Sequence, residues 1–287
     1  TIESMAMPAA TPTLPVPLGD RHRRGMLGAA ALAWIGLVLA GCAPVPIDTR
    51  YFARSQDSRV QFLVLHYTDE NLADSLRILT EGPVSSHYLV SDETPPRIYR
   101  LVDEDRRAWH AGDSHWRGTS MLNAASIGIE IVNPGASVGA DGQRRYAPYP
   151  PEQVDLLVAL VKDIVGRHGI DPRRIVGHSD IAPQRKTDPG PLFPWKRLAD
   201  EGLVPWPDAT RVATLRAAYE AEMPAVAWFQ QQLQTLGFRV PDHGTLDDAT
   251  RRVVAAFQMR YRPSLHDGQP DAETAALLRV LNTPVTP

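Results

Sequence analysis

Three side chains in this chain have the types to hold a metal together: His66, His178 and Asp188. His66 ends the apolar run Gln61-Phe62-Leu63-Val64-Leu65, which reads as a buried strand. His178 and Asp188 fall in the segment Gly177-His178-Ser179-Asp180-Ile181-Ala182-Pro183-Gln184-Arg185-Lys186-Thr187-Asp188-Pro189-Gly190. Two imidazoles and one carboxylate make a zinc ligand set with one position open, and an open position marks a catalytic rather than a structural zinc. A single histidine is more often a satisfied structural residue; the inference rests on the three converging. Asp188 precedes a proline and is therefore biased towards extended backbone. Lys186, two residues earlier, then faces the same side.

Glu130 is a charge within the strand-like run Ser126-Ile127-Gly128-Ile129-Glu130-Ile131-Val132. A carboxylate in such surroundings is costly unless it is paired or functional. Beside a metal-activated water it would serve as general base, and then return the proton to a leaving amine. Lys186 would stabilise the oxyanion of the tetrahedral intermediate. Trp109-His110-Ala111-Gly112 and Asn123 are loop residues suited to substrate contact, or to holding their own loop by local hydrogen bonds. His87 and His115 are not expected to bind metal, and Asp180 reads as a support or helix cap near His178.

These residues need elements to position them. The pattern gives a strand over 60–65, a helix over 71–79, and a strand pair over 87–90 and 97–102. A strand follows over 126–132, with Ile127, Ile129 and Ile131 on one face and Gly128, Glu130 and Val132 on the other. Residues 151–168 form the clearest helix: Val154, Leu157, Val158, Val161 and Val165 keep the 3.6-residue period, and Gly169 follows as its cap. A short strand over 174–176 leads into His178. Strands interleaved with helices predict an α/β domain on one central mixed sheet flanked by helices, over 59–202. Residues 203–223 read as a linker. Residues 224–287 read as a small three-helix bundle, in which Asp247 and Asp271 sit at helix starts 24 residues apart.

The composition is that of an ordinary globular chain of 287 residues, 43% hydrophobic and 22% charged. A net charge of -3, with no basic run after the N-terminal region, gives no sign of a nucleic-acid partner, and none is expected. The single cysteine, Cys42, excludes an intramolecular disulfide. Residues 1–41 read as an N-terminal extension and signal peptide. The basic Arg21-His22-Arg23-Arg24 precedes an apolar run over 26–40, which is shorter than the roughly 20 residues of a membrane span. Residues 42–58, Pro-rich and then polar, read as a tether.

Leu39-Ala40-Gly41-Cys42 resembles a bacterial lipobox, which implies a lipidated Cys42 as the mature N-terminus. With Ala43 and Pro44 after it, the resemblance implies an outer-membrane lipoprotein facing the periplasm. The segments Val64-Leu65-His66-Tyr67-Thr68, Trp109-His110-Ala111-Gly112, Ser126-Ile127-Gly128-Ile129-Glu130, Gly177-His178-Ser179-Asp180 and Lys186-Thr187-Asp188-Pro189-Gly190 resemble, in the same order, the zinc N-acetylmuramoyl-L-alanine amidases of the AmpD/AmiD type. That family shares its fold with peptidoglycan recognition proteins and a phage lysozyme. The resemblance implies Zn2+ on His66, His178 and Asp188 (where some relatives have Cys), a catalytic Glu130 and a catalytic Lys186. Phage-type relatives carry a Tyr where Ser86 stands here, which favours the glutamate mechanism. The tail resembles a three-helix peptidoglycan-binding domain. Together these imply hydrolysis of the amide between N-acetylmuramic acid and L-alanine, with peptidoglycan, muropeptides and a membrane as partners. A non-catalytic wall-binding protein would have lost a ligand, and none is lost. The motif order argues against a peptidase that cuts within the stem peptide.

Overall fold

A computed structural model describes residues 45–283. Cys42, and with it the expectation of lipidation, lies outside them. Residues 45–57 carry no helix or strand. Residues 58–283 form one compact unit.

That unit is built on a five-stranded sheet in the order β3-β2-β6-β1-β9. Its strands are β1 (Phe62–Tyr67), β2 (Tyr88–Val90), β3 (Ile98–Arg100), β6 (Ser126–Ile131) and β9 (Ile175–Gly177). β2, β6, β1 and β9 run parallel, and β3 pairs antiparallel to β2 at the edge. Two small hairpins lie outside the sheet: β4 (His115–Trp116) with β5 (Thr119–Ser120), and β7 (Ala136–Val138) with β8 (Arg144–Tyr146). The mixed α/β sheet expected from the sequence is present, and the last strand lies one residue later than its pattern suggested.

Side-chain alternation gives the sheet two different faces. Leu63, Leu65, Ile127, Ile129, Ile131 and Ile175 point to one of them. There they meet Leu157, Val161 and Ile164 of helix α2 (Pro151–His168) and Leu198 of α4 (Trp195–Asp200). Helix α2 stops at Gly169, whose φ of 66° is the left-handed conformation that ends helices cheaply only in glycine. Helix α1 (Leu72–Glu81), capped by Asn71, covers Leu89 and Val132 near the sheet edge through Leu79.

The opposite face presents Phe62, Val64 and Val176, followed towards the carboxyl ends by His66 and Glu130. Its core is completed by the C-terminal helices α6 (Val226–Leu236), α7 (Asp248–Tyr261) and α8 (Ala272–Asn282), through Phe229, Leu233, Val254, Phe257 and Leu278. Asp247 and Asp271 cap α7 and α8 as their spacing predicted. The segment 203–223 differs from the linker expected of it. It contains helix α5 (Ala209–Ala221), capped by Asp208, which lies along the bundle with Val212 and Tyr219 part-buried. No residue of α5 is fully buried, so its sequence shows no strong apolar stripe.

Candidate active site

In an open sheet, ligand chemistry gathers beyond the carboxyl ends of parallel strands. Three adjacent strands deliver polar groups to that edge here. His66 on β1 and Glu130 on β6 are direct register partners, so their side chains share a face. Leu65 pairs with Gly177, the last residue of β9, and His178 follows at once as the first residue of the short helix α3 (His178–Ile181). Asp188 returns beside it, and Ser179 N–H donates to its carbonyl at 2.8 Å.

The result is a tight triangle. His66 Nδ1 lies 3.0 Å from His178 Nδ1 and 3.0 Å from Asp188 Oδ2, and His178 Nδ1 lies 3.1 Å from the same oxygen. All three residues are buried. Among the described residues these are the three that stand as a potential metal-holding group.

The surrounding donors determine which nitrogens carry protons. Ser126 Oγ–H donates to Leu122 O at 2.7 Å, so Ser126 Oγ accepts from His110 Nε2–H at 3.1 Å. His110 Nδ1 is then an acceptor, and His66 Nε2–H donates to it at 3.1 Å. His178 Nε2 lies 3.3 Å from Ala111 O and 3.4 Å from Arg185 Nη2. The Nδ1 atoms of both imidazoles thus face each other and the Asp188 carboxylate. Two imidazole nitrogens and a carboxylate oxygen converging within about 3 Å are the donor set of a metal site.

A family model for N-acetylmuramoyl-L-alanine amidase matches residues 56–191, and one for a peptidoglycan binding domain matches residues 222–278. The chain is 45% identical to the N-acetylmuramoyl-L-alanine amidase AmiD of Escherichia coli, over 85% of this chain and 94% of that protein. This chain belongs to the N-acetylmuramoyl-L-alanine amidase family. The solved complex of Escherichia coli AmiD with anhydro-N-acetylmuramic acid-L-Ala-D-gamma-Glu-L-Lys superposes with a TM-score of 0.74 at 44% identity, covering 82% of this chain and 93% of that one. AmpDH3 of Pseudomonas aeruginosa with anhydromuramic pentapeptide gives 0.76 at 39% identity, covering 83% and 98%.

The electrostatics of the amidase site separate its groups. Burial holds the His178 imidazole down at about 4, so it is neutral at pH 7. Asp188 is buried as well, yet the imidazoles of His178 and His66 hold its carboxyl well below the usual carboxylate range. Burial pushes Glu130 up to about 7; Asp188 pushes the same way, while His66 and Lys186 oppose it. Glu130 Oε2 is buried without a hydrogen-bond partner. Lys186 lies close enough to act on both Glu130 and His178. The sequence-predicted five are thus brought together.

Of the three residues expected at the substrate, Trp109 alone is exposed, with Arg107 stacked 4.1 Å over its ring. His110 and Asn123 are buried. Asn123 Oδ1 accepts from the backbone N–H groups of His110 and Ala111. His110 packs against Gly128, where a Cβ would come within 2.5 Å of the ring. The glycine in an otherwise Ile-rich strand is the one sequence trace of that contact. His87 accepts from Gly128 N–H and donates to Arg106 O, and His115 pairs with Ser120, so neither joins the metal group. Ser86 is buried.

This arrangement predicts the effect of His110→Phe. The ring volume is kept, but His66 Nε2–H loses its acceptor. Metal affinity should fall about 10- to 100-fold, as measured by competition with a chromogenic chelator. Wild-type affinity would show that the His110 contact does not orient the ligand.

Proposed function

We propose that this amidase is a zinc hydrolase. It cleaves the amide between the lactyl group of N-acetylmuramic acid and the L-alanine of the stem peptide. Zn2+ would be held by His66 Nδ1, His178 Nδ1 and Asp188 Oδ2. The single observation that carries the reading is the convergence of those three atoms beside Glu130. Nitrogen and oxygen donors about 2.0–2.1 Å from a tetrahedral zinc lie about 3.3 Å apart. The observed separations of 3.0–3.1 Å need to open by only a few tenths of an ångström. When bound, the ion supplies Lewis acidity to the scissile carbonyl and acidifies a water.

The chain's own groups do the proton work. Glu130, poised by burial near neutrality, takes a proton from the attacking water as its oxygen adds to the carbonyl carbon. It returns that proton to the nitrogen as the C–N bond breaks, releasing a peptide with a free L-alanine amine. Lys186 places a positive charge where the carbonyl oxygen becomes an anion. Burial of the site limits competing water and strengthens these charges.

Substrate breadth follows the relatives: the muropeptides in the AmiD and AmpDH3 complexes carry the same bond. The tail would add a second contact with the polymer and raise the local substrate concentration. Cys42, if lipidated, would tie the enzyme to the outer membrane on its periplasmic side.

Digestion of purified sacculi, followed by separation of the products, tests the reaction. Free stem peptides with an amino-terminal L-alanine are expected, and intact muropeptides alone would overturn it. Dialysis against a chelator should abolish turnover, and stoichiometric Zn2+ should restore it; activity unaffected by chelation would overturn the metal assignment.

A further inference from the structure

The helix that a wall-binding module would present as surface instead buries an arginine beneath the metal-ligand turn. Arg260, on α7, is 5% exposed at its side chain, and its partner Asp180 only 1%. Arg260 Nη1 donates to Asp180 Oδ2 at 2.5 Å, and Nη2 donates to Ile175 O at 3.1 Å. The guanidinium lies 3.9 Å over the ring of Trp195. Asp180 Oδ2 also accepts from Gly177 N–H at 2.8 Å. One cation thus grips three parts of the segment that delivers His178: the β9 carbonyl before it, the carboxylate two residues after it and, through that carboxylate, the amide immediately ahead of it.

We propose that Arg260 is a positioning residue for the metal site, so that the C-terminal helices form part of the catalytic unit. The proposal rests on the reading of His178 as a metal ligand. Arginine suits the task because its planar fork reaches a carboxylate and a carbonyl together while its face stacks on an indole. Lysine would keep the charge and lose the second donor direction and the stacking. Around Gly177 there is little slack, since a Cβ there would meet Pro189 at 2.6 Å and Trp195 at 3.2 Å. A shift of Asp180 is therefore passed to His178 rather than absorbed.

The test uses the full chain loaded with Zn2+, in wild type, Arg260→Lys, Arg260→Met, Asp180→Asn and the pair Asp180→Asn/Arg260→Met. Leu278→Ala, in the same core but on α8, is a control for lost stability alone. Zinc affinity is measured by chelator competition, and kcat and KM on a soluble muropeptide. Arg260→Lys, the milder change, should fold, lose zinc affinity about 10-fold and lose kcat with KM little changed. The paired variant should lose less than the two single losses multiplied, because neither partner is left unmatched. Leu278→Ala should lower the melting temperature and leave zinc affinity at the wild-type value. Folded Arg260 variants with wild-type affinity and kcat would overturn the proposal, as would affinity losses that track stability in every variant, the control included. A wild-type chain that binds no Zn2+ would instead overturn the metal reading itself.

Discussion

Glu130→Gln should leave the enzyme folded and metal-loaded, with kcat reduced about 100- to 10,000-fold, the range for loss of a positioned general base. The substitution is nearly isosteric and removes only the ability to accept a proton. Glu130 Oε2 has no hydrogen-bond partner in its buried position, so no structural contact is lost with it. Metal content by atomic absorption separates this result from damage to the site, and full activity in a metal-loaded Gln variant would sink the assigned role. The same residue sets a pH dependence. Its carboxyl, pushed up to about 7 by burial, works only when ionised. Activity is therefore complete above that pKa and is lost as the pH falls through it. A bound cation favours the ionised form, so the midpoint of the acid limb of kcat/KM should lie at or below about 7. Residual activity of the Gln variant should lack that limb.

The second large effect concerns the tail. Removing residues 208–287 uncovers Phe62, Val64, Trp116, Val176 and Ile181, all buried in a core that the C-terminal helices complete. It also strips Asp180 of Arg260. Leaving one member of a buried ion pair unmatched costs about 3–5 kcal/mol, and each large apolar side chain returned to water adds about 1.5–3 kcal/mol. Domain stabilities are about 5–15 kcal/mol, so the truncated chain should fail to fold cooperatively. Soluble yield and a thermal melt monitored by near-ultraviolet circular dichroism measure this. A truncated protein that melts cooperatively at the full-length temperature would show that the face is not part of the essential core.

The catalytic edge was legible in the sequence because its signals are local. The run ending in His66, the Ile alternation around Glu130, and the His178 to Asp188 segment each announce an element and its orientation within a few residues. What joins distant segments was not legible. Arg260 lies 80 residues from Asp180, and an arginine in an amphipathic helix ordinarily reads as solvent-facing. His110 reads as a loop residue open to substrate, because nothing near it in the sequence says that Gly128 leaves room for its ring. Helix α5 reads as a linker for a related reason: it rests against the bundle without burying any residue fully, so it carries little of the periodicity by which helices are recognised.

The parallel register of β1 with both β6 and β9 also governs when the enzyme becomes active. Phe62 must find Ser126, and Leu63 must find Ile175, before His66 stands opposite Glu130 or near His178. Such pairings across long stretches of chain form late, because loop closure is costly until the sheet assembles. The three donor atoms come together only once β1 has paired with β9, and Glu130 joins them only once β6 has paired with β1. During refolding, hydrolytic activity should therefore appear with the slowest phase that completes the sheet, which keeps a lytic site silent in every partly folded form.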